Sequence, residues 1–187
     1  MRPGIEKQFQ LTIVVVGFFT TLQVLITAQW TRSMALRIGV TLAIAVACLI
    51  RYWWVILTLT WPARWFRTLL LLLVWTSLPL TAAFVGNAMQ WAGALVGLST
   101  LGCMTEIYNY LTQQWRVGSP EMIASLKLDH IAGIAASAAA AVVIVGAMAL
   151  LSSWLDVIIL VLVIADWTRL IAMIERHRRL SPGGMQR

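Results

Sequence analysis

Long apolar runs alternate with short polar segments along the whole chain. Six runs of roughly 20 residues can be drawn, and a helix of that length, at about 1.5 Å per residue, crosses a hydrocarbon layer of about 30 Å. The runs cover approximately 9–30, 36–60, 66–86, 91–111, 131–151 and 154–174. The shorter alternating pattern of membrane β-strands is absent. The sequence therefore predicts an all-α, polytopic integral membrane bundle of about six transmembrane helices.

We expect this bundle to form one domain over residues 1–179, followed by a flexible cytoplasmic tail at 180–187. The second run has two interpretations, because Arg51 falls in its interior and several aromatic residues follow. Either one long helix carries a buried arginine, or a short helix ends near Arg51 and the next residues lie along the membrane interface. The longest connection, 112–130, is expected to be a loop in which Pro120 could start a short helix.

Basic residues collect on one side of the six runs. With the N-terminus in the cytoplasm, ten Lys and Arg fall in cytoplasmic loops and ends, and two fall in outer loops. The ten are Arg2, Lys7, Arg64, Arg67, Arg116, Lys127, Arg176, Arg178, Arg179 and Arg187, and the two are Arg32 and Arg37. Since basic loops stay in the cytoplasm during insertion, this asymmetry predicts that both termini are cytoplasmic.

Composition changes the expected partners more than it changes the fold. Hydrophobic residues make up 60% of the 187 positions and charged residues 11%, so lipid is the solvent for most of the surface. The net charge of +7 would suggest nucleic acid in a soluble chain. Here the basic residues border apolar runs, so we expect contact with membrane lipids and no nucleic-acid binding. Motifs of membrane proteases, phosphatidyltransferases and zinc enzymes are absent, so we expect no catalytic residue, metal or cofactor.

Four ionisable residues lie inside the apolar runs, all in the predicted cytoplasmic half. They are Arg51, Glu106, Asp166 and Arg169. A central charge costs roughly 2.5–3.5 kcal/mol on insertion scales, so each residue needs a partner or a function. One interpretation is a polar cluster that lines an inward-facing cavity or ion path. The other is structural: the two positive and two negative charges neutralise each other, with Asp166 and Arg169 three residues apart on one helix face.

Small residues at four-residue spacing mark candidate helix-packing positions. They are Gly93 and Gly97 in the fourth run, and Gly133, Ser137 and Ala141 in the fifth. Small side chains let membrane helices approach closely, either within one bundle or between subunits. Because large side chains are nearly absent from 132–141, the fifth helix is expected to be the most enclosed one.

These features favour a non-enzymatic integral subunit of a membrane assembly, such as a secretion or conjugation machinery. We expect it in the inner (cytoplasmic) membrane, with other membrane subunits or further copies of itself as partners. The alternative is a small transporter or channel that uses the polar cluster in the inner half. Transporters often contain pairs of broken helices, whereas only the third run is interrupted by a proline, Pro79.

Overall fold

The structure is a computed structural model that describes residues 3–28, 31–60, 65–112, 114–115 and 120–180. Within these ranges the chain forms six long helices. They are α1 (Pro3–Thr27), α2 (Arg32–Thr58), α3 (Trp65–Ala83), α4 (Ala88–Thr112), α5 (Pro120–Leu150) and α6 (Leu155–Leu180). A short 3-10 turn, Ser152–Trp154, joins α5 to α6. After α2 and α4, the two-residue strands β1 (Leu59–Thr60) and β2 (Gln114–Trp115) pair in antiparallel orientation.

Helices α1, α2, α3, α5 and α6 are long and apolar enough to cross a membrane. These five helices indicate a multi-pass membrane protein, and the all-helical prediction is confirmed. The predicted number of six crossings stays a prediction, because α4 is long but does not qualify among the described helices. Its sequence contains Gln90, Glu106 and Asn109 between the apolar residues. In the structure α4 makes its main contacts with α3 and α5.

Side-chain contacts define the direction of neighbouring helices. Gln10 donates a hydrogen bond to Thr68, and Gly17 lies against Trp75, so α1 and α3 run parallel. The most extensive contact in the bundle is between α4 and α5, which run antiparallel. We call the end of the bundle where α1 begins and α6 ends the terminal end. The opposite end, which includes Ser152–Trp154, is the turn end.

Helices α2 and α6 also run parallel, although more than 100 residues separate them in sequence. Arg37 pairs with Asp156 near the turn end, and Arg51 pairs with Asp166 closer to the terminal end. Both helices therefore begin at the turn end and end at the terminal end. The two arginines of α2 that lie within the bundle thus find their acidic partners on the last helix.

The apolar core is concentrated in the turn-end half of the bundle. Its largest fully buried side chains include Trp75, Leu78, Trp91, Leu155 and Ile159, all at most 2% exposed. These residues belong to one continuous cluster. The charged side chains inside the helices lie mainly in the other half, so the two ends of the bundle differ in polarity.

Helix α1 approaches α3 most closely at Gly17. A Cβ placed on Gly17 would lie 2.8 Å from the carbonyl oxygen of Trp75 and 2.9 Å from its Cβ. Pro79 lies four residues after Trp75 inside α3, and it has no N–H to donate to this carbonyl. The freed carbonyl therefore faces a helix that has no side chain at the point of contact. Close approach through glycine is a common way for membrane helices to associate.

Two helix boundaries differ from the sequence prediction in ways that affect the polar residues. Helix α2 continues through Arg51 to Thr58, so the interpretation with one long helix is correct. Helix α5 begins at Pro120, where the sequence indicated a possible helix start, but it continues without a break to Leu150, so 120–130 is not a loop. Proline suits the first helical turn, since its missing N–H has no partner there, and Glu121 stabilises the same end electrostatically. The fifth apolar run covers only the later part of α5, because residues 120–130 include both polar and apolar side chains.

Some of the basic residues used to predict the orientation, and most of the predicted tail, lie outside the described residues. This applies to residues 181–187 of the predicted tail and to Arg2, Arg64, Arg116 and Arg187.

The prediction that α5 is the most enclosed helix is wrong. In its apolar stretch 17% is buried, against 28% for α2 and α3. Ala135, Ala138 and Val142 form an exposed face. On another side, Ala136 and Ala140 line a cavity instead of packing tightly against a neighbouring helix. The small side chains of α5 therefore leave space inside the bundle.

Candidate functional site

Asp166 lies between two arginines in the terminal half of the bundle. Its Oδ1 accepts hydrogen bonds from Nη2 of Arg51 in α2 and, at 3.3 Å, from Nη2 of Arg169 in α6. The three side chains are between 23% and 33% exposed. Two guanidinium groups thus share a single carboxylate. We call Arg51, Asp166 and Arg169 the arginine–aspartate triad.

Glu106 is close to the triad but pairs with a residue of another helix. Its Oε2 lies 2.5 Å from Nδ1 of His130 in α5. Gly133 makes space for this arrangement, since a Cβ there would lie 3.2 Å from Oε1 of Glu106 and 3.3 Å from Nη1 of Arg169. The glycine predicted for helix packing therefore accommodates charged side chains where α4, α5 and α6 meet.

Polar contacts continue from the triad to the terminal end. Nη1 of Arg169 donates to the backbone oxygen of Asp129 at 3.3 Å. The Asp129 carboxylate lies 3.0 Å from Nη1 of Arg176 and 3.4 Å from Nε2 of His177. His177 is fully buried, whereas the Arg176 side chain is 46% exposed. The charges of α6 are therefore linked stepwise from the interior to the surface.

Two cavities meet at Arg51. The larger has a volume of about 320 Å³ and is lined by residues of α2 to α6, including the whole triad. Most of its wall is apolar and includes Ala136 and Ala140. The smaller, of about 130 Å³, lies between α2, α3 and α4, and its polar lining includes Arg51, Arg67 and Glu106. The triad thus borders internal space in addition to neutralising charge.

A separate ion pair ties helices together near the turn end. Arg37 contacts both carboxylate oxygens of Asp156, with Nε–Oδ1 and Nη2–Oδ2 distances of 2.9 and 2.8 Å. Its Nη1 donates to the backbone oxygen of Val85 at 3.2 Å. The Cζ of Arg37 is 6.0 Å from the ring centroid of Trp91, whose indole N–H donates to Thr41 at 3.0 Å. This arrangement holds α2, α4 and α6 in register. Neither Arg37 nor Asp156 lines the larger cavity.

The structure separates the small residues into different roles. Gly93 and Gly97 are exposed, and a Cβ on either would meet nothing within 4 Å, so they are not packed inside the chain. Ser137 contacts α4, because its Oγ would lie 3.6 Å from a Cβ on Gly102. Ala141 is half-buried. Of the predicted set, Gly133 and Ser137 face other helices within the described part of the chain.

Sequence reasoning found four charges within the apolar runs and the pairing of Asp166 with Arg169, but it missed His130 as the partner of Glu106. His130 was assigned to a loop because the start of α5 was placed after it. The sequence pattern places Arg37 in an outer loop and does not single out Asp156, although both lie near the predicted outer ends of their helices. A search for opposite charges at matching depths on different helices could have found this pair. Glu106 and Asp166 were each available to either arginine, and only the fold shows which pairs form.

Among the parts of the chain that the structure describes, no group of three or more His, Cys, Asp or Glu could hold a metal ion. Neither protein-family models, nor curated proteins, nor solved structures match this chain.

Proposed function

We propose that this protein is a non-enzymatic, multi-pass subunit of a membrane assembly in the inner (cytoplasmic) membrane. Its role is to present helix faces to neighbouring subunits, as in a secretion or conjugation machinery. In this proposal all six helices cross the membrane. The terminal end faces the cytoplasm, which accords with the basic residues Arg176, Arg178 and Arg179 in the last turns of α6.

The exposed face of α4 is the observation that carries this proposal. Gln90, Gly93, Gly97 and Thr100 follow each other along that face, and all four are exposed. The two glycines have open space in front of them. Lipid offers little to small or polar side chains, whereas a second helix can pack closely on glycine. Since α4 is also less apolar than the five helices that qualify as spans, we infer that another protein chain covers this face.

The test is a comparison of complexes extracted from native membranes in mild detergent. Gly97→Leu should leave the single chain folded, because Gly97 is exposed and a Cβ there meets nothing within 4 Å. It should shift the protein from a larger complex to the mass of the single chain. Ala138→Leu on the exposed face of α5 is the matched control and should leave the complex intact. A wild-type protein that runs as a single chain under the same conditions would contradict the proposal.

The second candidate function is a small transporter or channel, and the larger cavity favours it. That cavity borders Arg51, Asp166 and Arg169, and polar contacts lead from Arg169 to the terminal end. Charged groups beside internal space are typical of substrate and ion paths. Against this, each carboxylate of the cluster has a partner in the same chain, Arg51 for Asp166 and His130 for Glu106, as expected for a structural role. We therefore place the subunit role first.

A further inference from the structure

The larger cavity is polar at one end and apolar over most of its length. The triad forms the end that lies toward the terminal end of the bundle. Ile144 and Ile159 line the opposite, apolar part. From Ile159 to Arg169 the helix rise is roughly 15 Å at about 1.5 Å per residue. The volume of about 320 Å³ is therefore elongated along the helices.

We infer that this cavity binds one acidic phospholipid of the surrounding membrane. One of its two acyl chains occupies the apolar part, and its anionic headgroup lies against Arg51 and Arg169. This inference rests on the membrane location of the helices and is independent of the proposed subunit role. Basic pockets between transmembrane helices on the cytoplasmic side are a recurrent way to hold acidic lipid headgroups.

The charge of the polar end favours an anion. Asp166 is the single carboxylate shared by Arg51 and Arg169. Two of the three charged residues that line the cavity are basic, and the side chains of both arginines are partly exposed. Glu106 does not line this cavity and pairs with His130. A headgroup anion lies against the parts of the two guanidinium groups that Asp166 leaves uncovered.

The level of Arg169 suits a headgroup. Its guanidinium reaches the backbone of Asp129, whose side chain bonds Arg176 at the surface. Long basic side chains in membranes commonly extend toward the interface in this way. The headgroup can therefore stay at the cytoplasmic interface while it contacts Arg169.

A lateral opening between α5 and α6 gives a lipid access to the cavity. Ala139 and Ala165 line the cavity, and both are exposed. Ala139 shares its face with the exposed Val142, and Ala165 shares its face with the exposed Thr168. Neither Val142 nor Thr168 lines the cavity, so this face looks outward. An acyl chain can thus enter sideways from the lipid layer without leaving the membrane.

The experiment is native mass spectrometry of the purified full chain, titrated with phosphatidylglycerol and with phosphatidylcholine of the same acyl chains. The wild type should bind one phosphatidylglycerol in preference to phosphatidylcholine. Arg169→Gln should lower phosphatidylglycerol affinity roughly fivefold, as expected for one basic group near a headgroup, and should reduce the preference by the same factor. Ala140→Leu should weaken both lipids equally, because the new side chain fills the acyl part. Because Ala140→Leu leaves every charged residue unchanged, it tests the site even if Arg169→Gln disturbs the fold.

Two matched controls separate site binding from general attraction. Arg178→Gln removes a charge from an exposed position on the same helix, and Ala138→Leu adds the same side chain outside the cavity. Both should bind lipid like the wild type. Equal binding of the two lipids, or wild-type binding in Ala140→Leu, would overturn the inference. Displacement of phosphatidylglycerol by inorganic phosphate at similar concentration would also overturn it, in favour of a site for soluble anions.

Discussion

The contact between Gly17 and the backbone of Trp75 leaves no room for a side chain on α1. The nearest atoms are a carbonyl oxygen and a Cβ, which cannot rotate away as the end of a flexible side chain can. The adjacent Thr21 is fully buried and bonds the carbonyl of Gly17 at 2.7 Å, so this stretch of α1 is held in place. A substitution at position 17 must therefore separate α1 from α3.

We predict that Gly17→Ala destabilises the folded bundle by about 1–3 kcal/mol, as overpacking of a well-packed contact does. Thermal unfolding in detergent measures the change. Gly146→Ala is the matched control, because a Cβ there meets nothing within 4 Å and the substitution favours the helix. Equal melting of the Gly17 variant and the wild type would show that the contact yields without cost.

Single residues were predictable where the sequence breaks its own pattern. Arg51 and Asp166 were recognisable as charges within apolar runs, because an ion in lipid requires compensation wherever its partner lies. Gly17 gave no such signal, since its importance depends on Trp75 and on the carbonyl that Pro79 leaves without a donor. Likewise Gly93 and Gly133 look equivalent in sequence, yet one faces open space and the other faces charged groups.

At the scale of helices, α6 carries the carboxylates that compensate α2. Asp166 serves Arg51, while Asp156 serves Arg37. A parallel helix pair with two ion pairs at different levels resists both sliding and separation. The contribution of each ion pair to stability depends on how far water is excluded from it, because a partly buried charge without its partner destabilises the fold.

We predict that Asp166→Asn lowers the free energy of unfolding by about 1–3 kcal/mol, a range reduced for the partial exposure of the triad. The reason is that Arg51 and Arg169 lose their shared counter-charge. Glu106→Gln should destabilise less, since its partner is His130. Expression and thermal melting in detergent measure both effects, alongside flux in reconstituted vesicles.

Glu175→Gln is the control for these variants, because it removes a carboxylate from an exposed pair with Arg179. Such surface pairs contribute less than about 1 kcal/mol. If Asp166→Asn keeps wild-type stability while an ion flux is lost, the triad acts in transport. That result would place the transporter ahead of the structural interpretation.

Hydropathy located the helices but not all of their ends. The apolar runs identify the segments that lipid surrounds. Residues 120–130 are also part of α5, but they mix polar and apolar side chains, so they do not form part of an apolar run. Helix α4 shows the converse case: it packs against α3 and α5, so fewer of its residues need to be apolar. Pairing of distant helices was beyond the sequence, because many arrangements bury the same apolar faces.

At the scale of the molecule, most of the charges within the helices lie in the terminal half, and most of the apolar core lies in the turn-end half. The predicted orientation places the charged half toward the cytoplasm, where the basic end of α6 lies. This orientation accounts for the position of the cavity's polar end and for the absence of basic residues from the Ser152–Trp154 turn.

We predict that alkaline phosphatase fused after Arg187 is inactive, whereas the enzyme inserted after Ser153 is active. Phosphatase needs an oxidising outer compartment to form its disulfides, so its activity reports the side of the membrane. A fluorescent protein at the same two positions is the complementary control and should give the opposite pattern. Activity at Arg187 together with inactivity at Ser153 would reverse the orientation.

The location of both carboxylate partners of α2 on α6 has a consequence for biogenesis. Arg37 and Arg51 enter the membrane early in synthesis, while Asp156 and Asp166 are made more than 100 residues later. During that interval two arginines in α2 lack their native counter-ions, and direct release of α2 into lipid is costly. We therefore expect helix α2 to stay beside the insertion machinery or a chaperone until α6 arrives. A nascent chain that stops before α6 would be recognisable to quality control by two unpaired guanidinium groups within the bilayer.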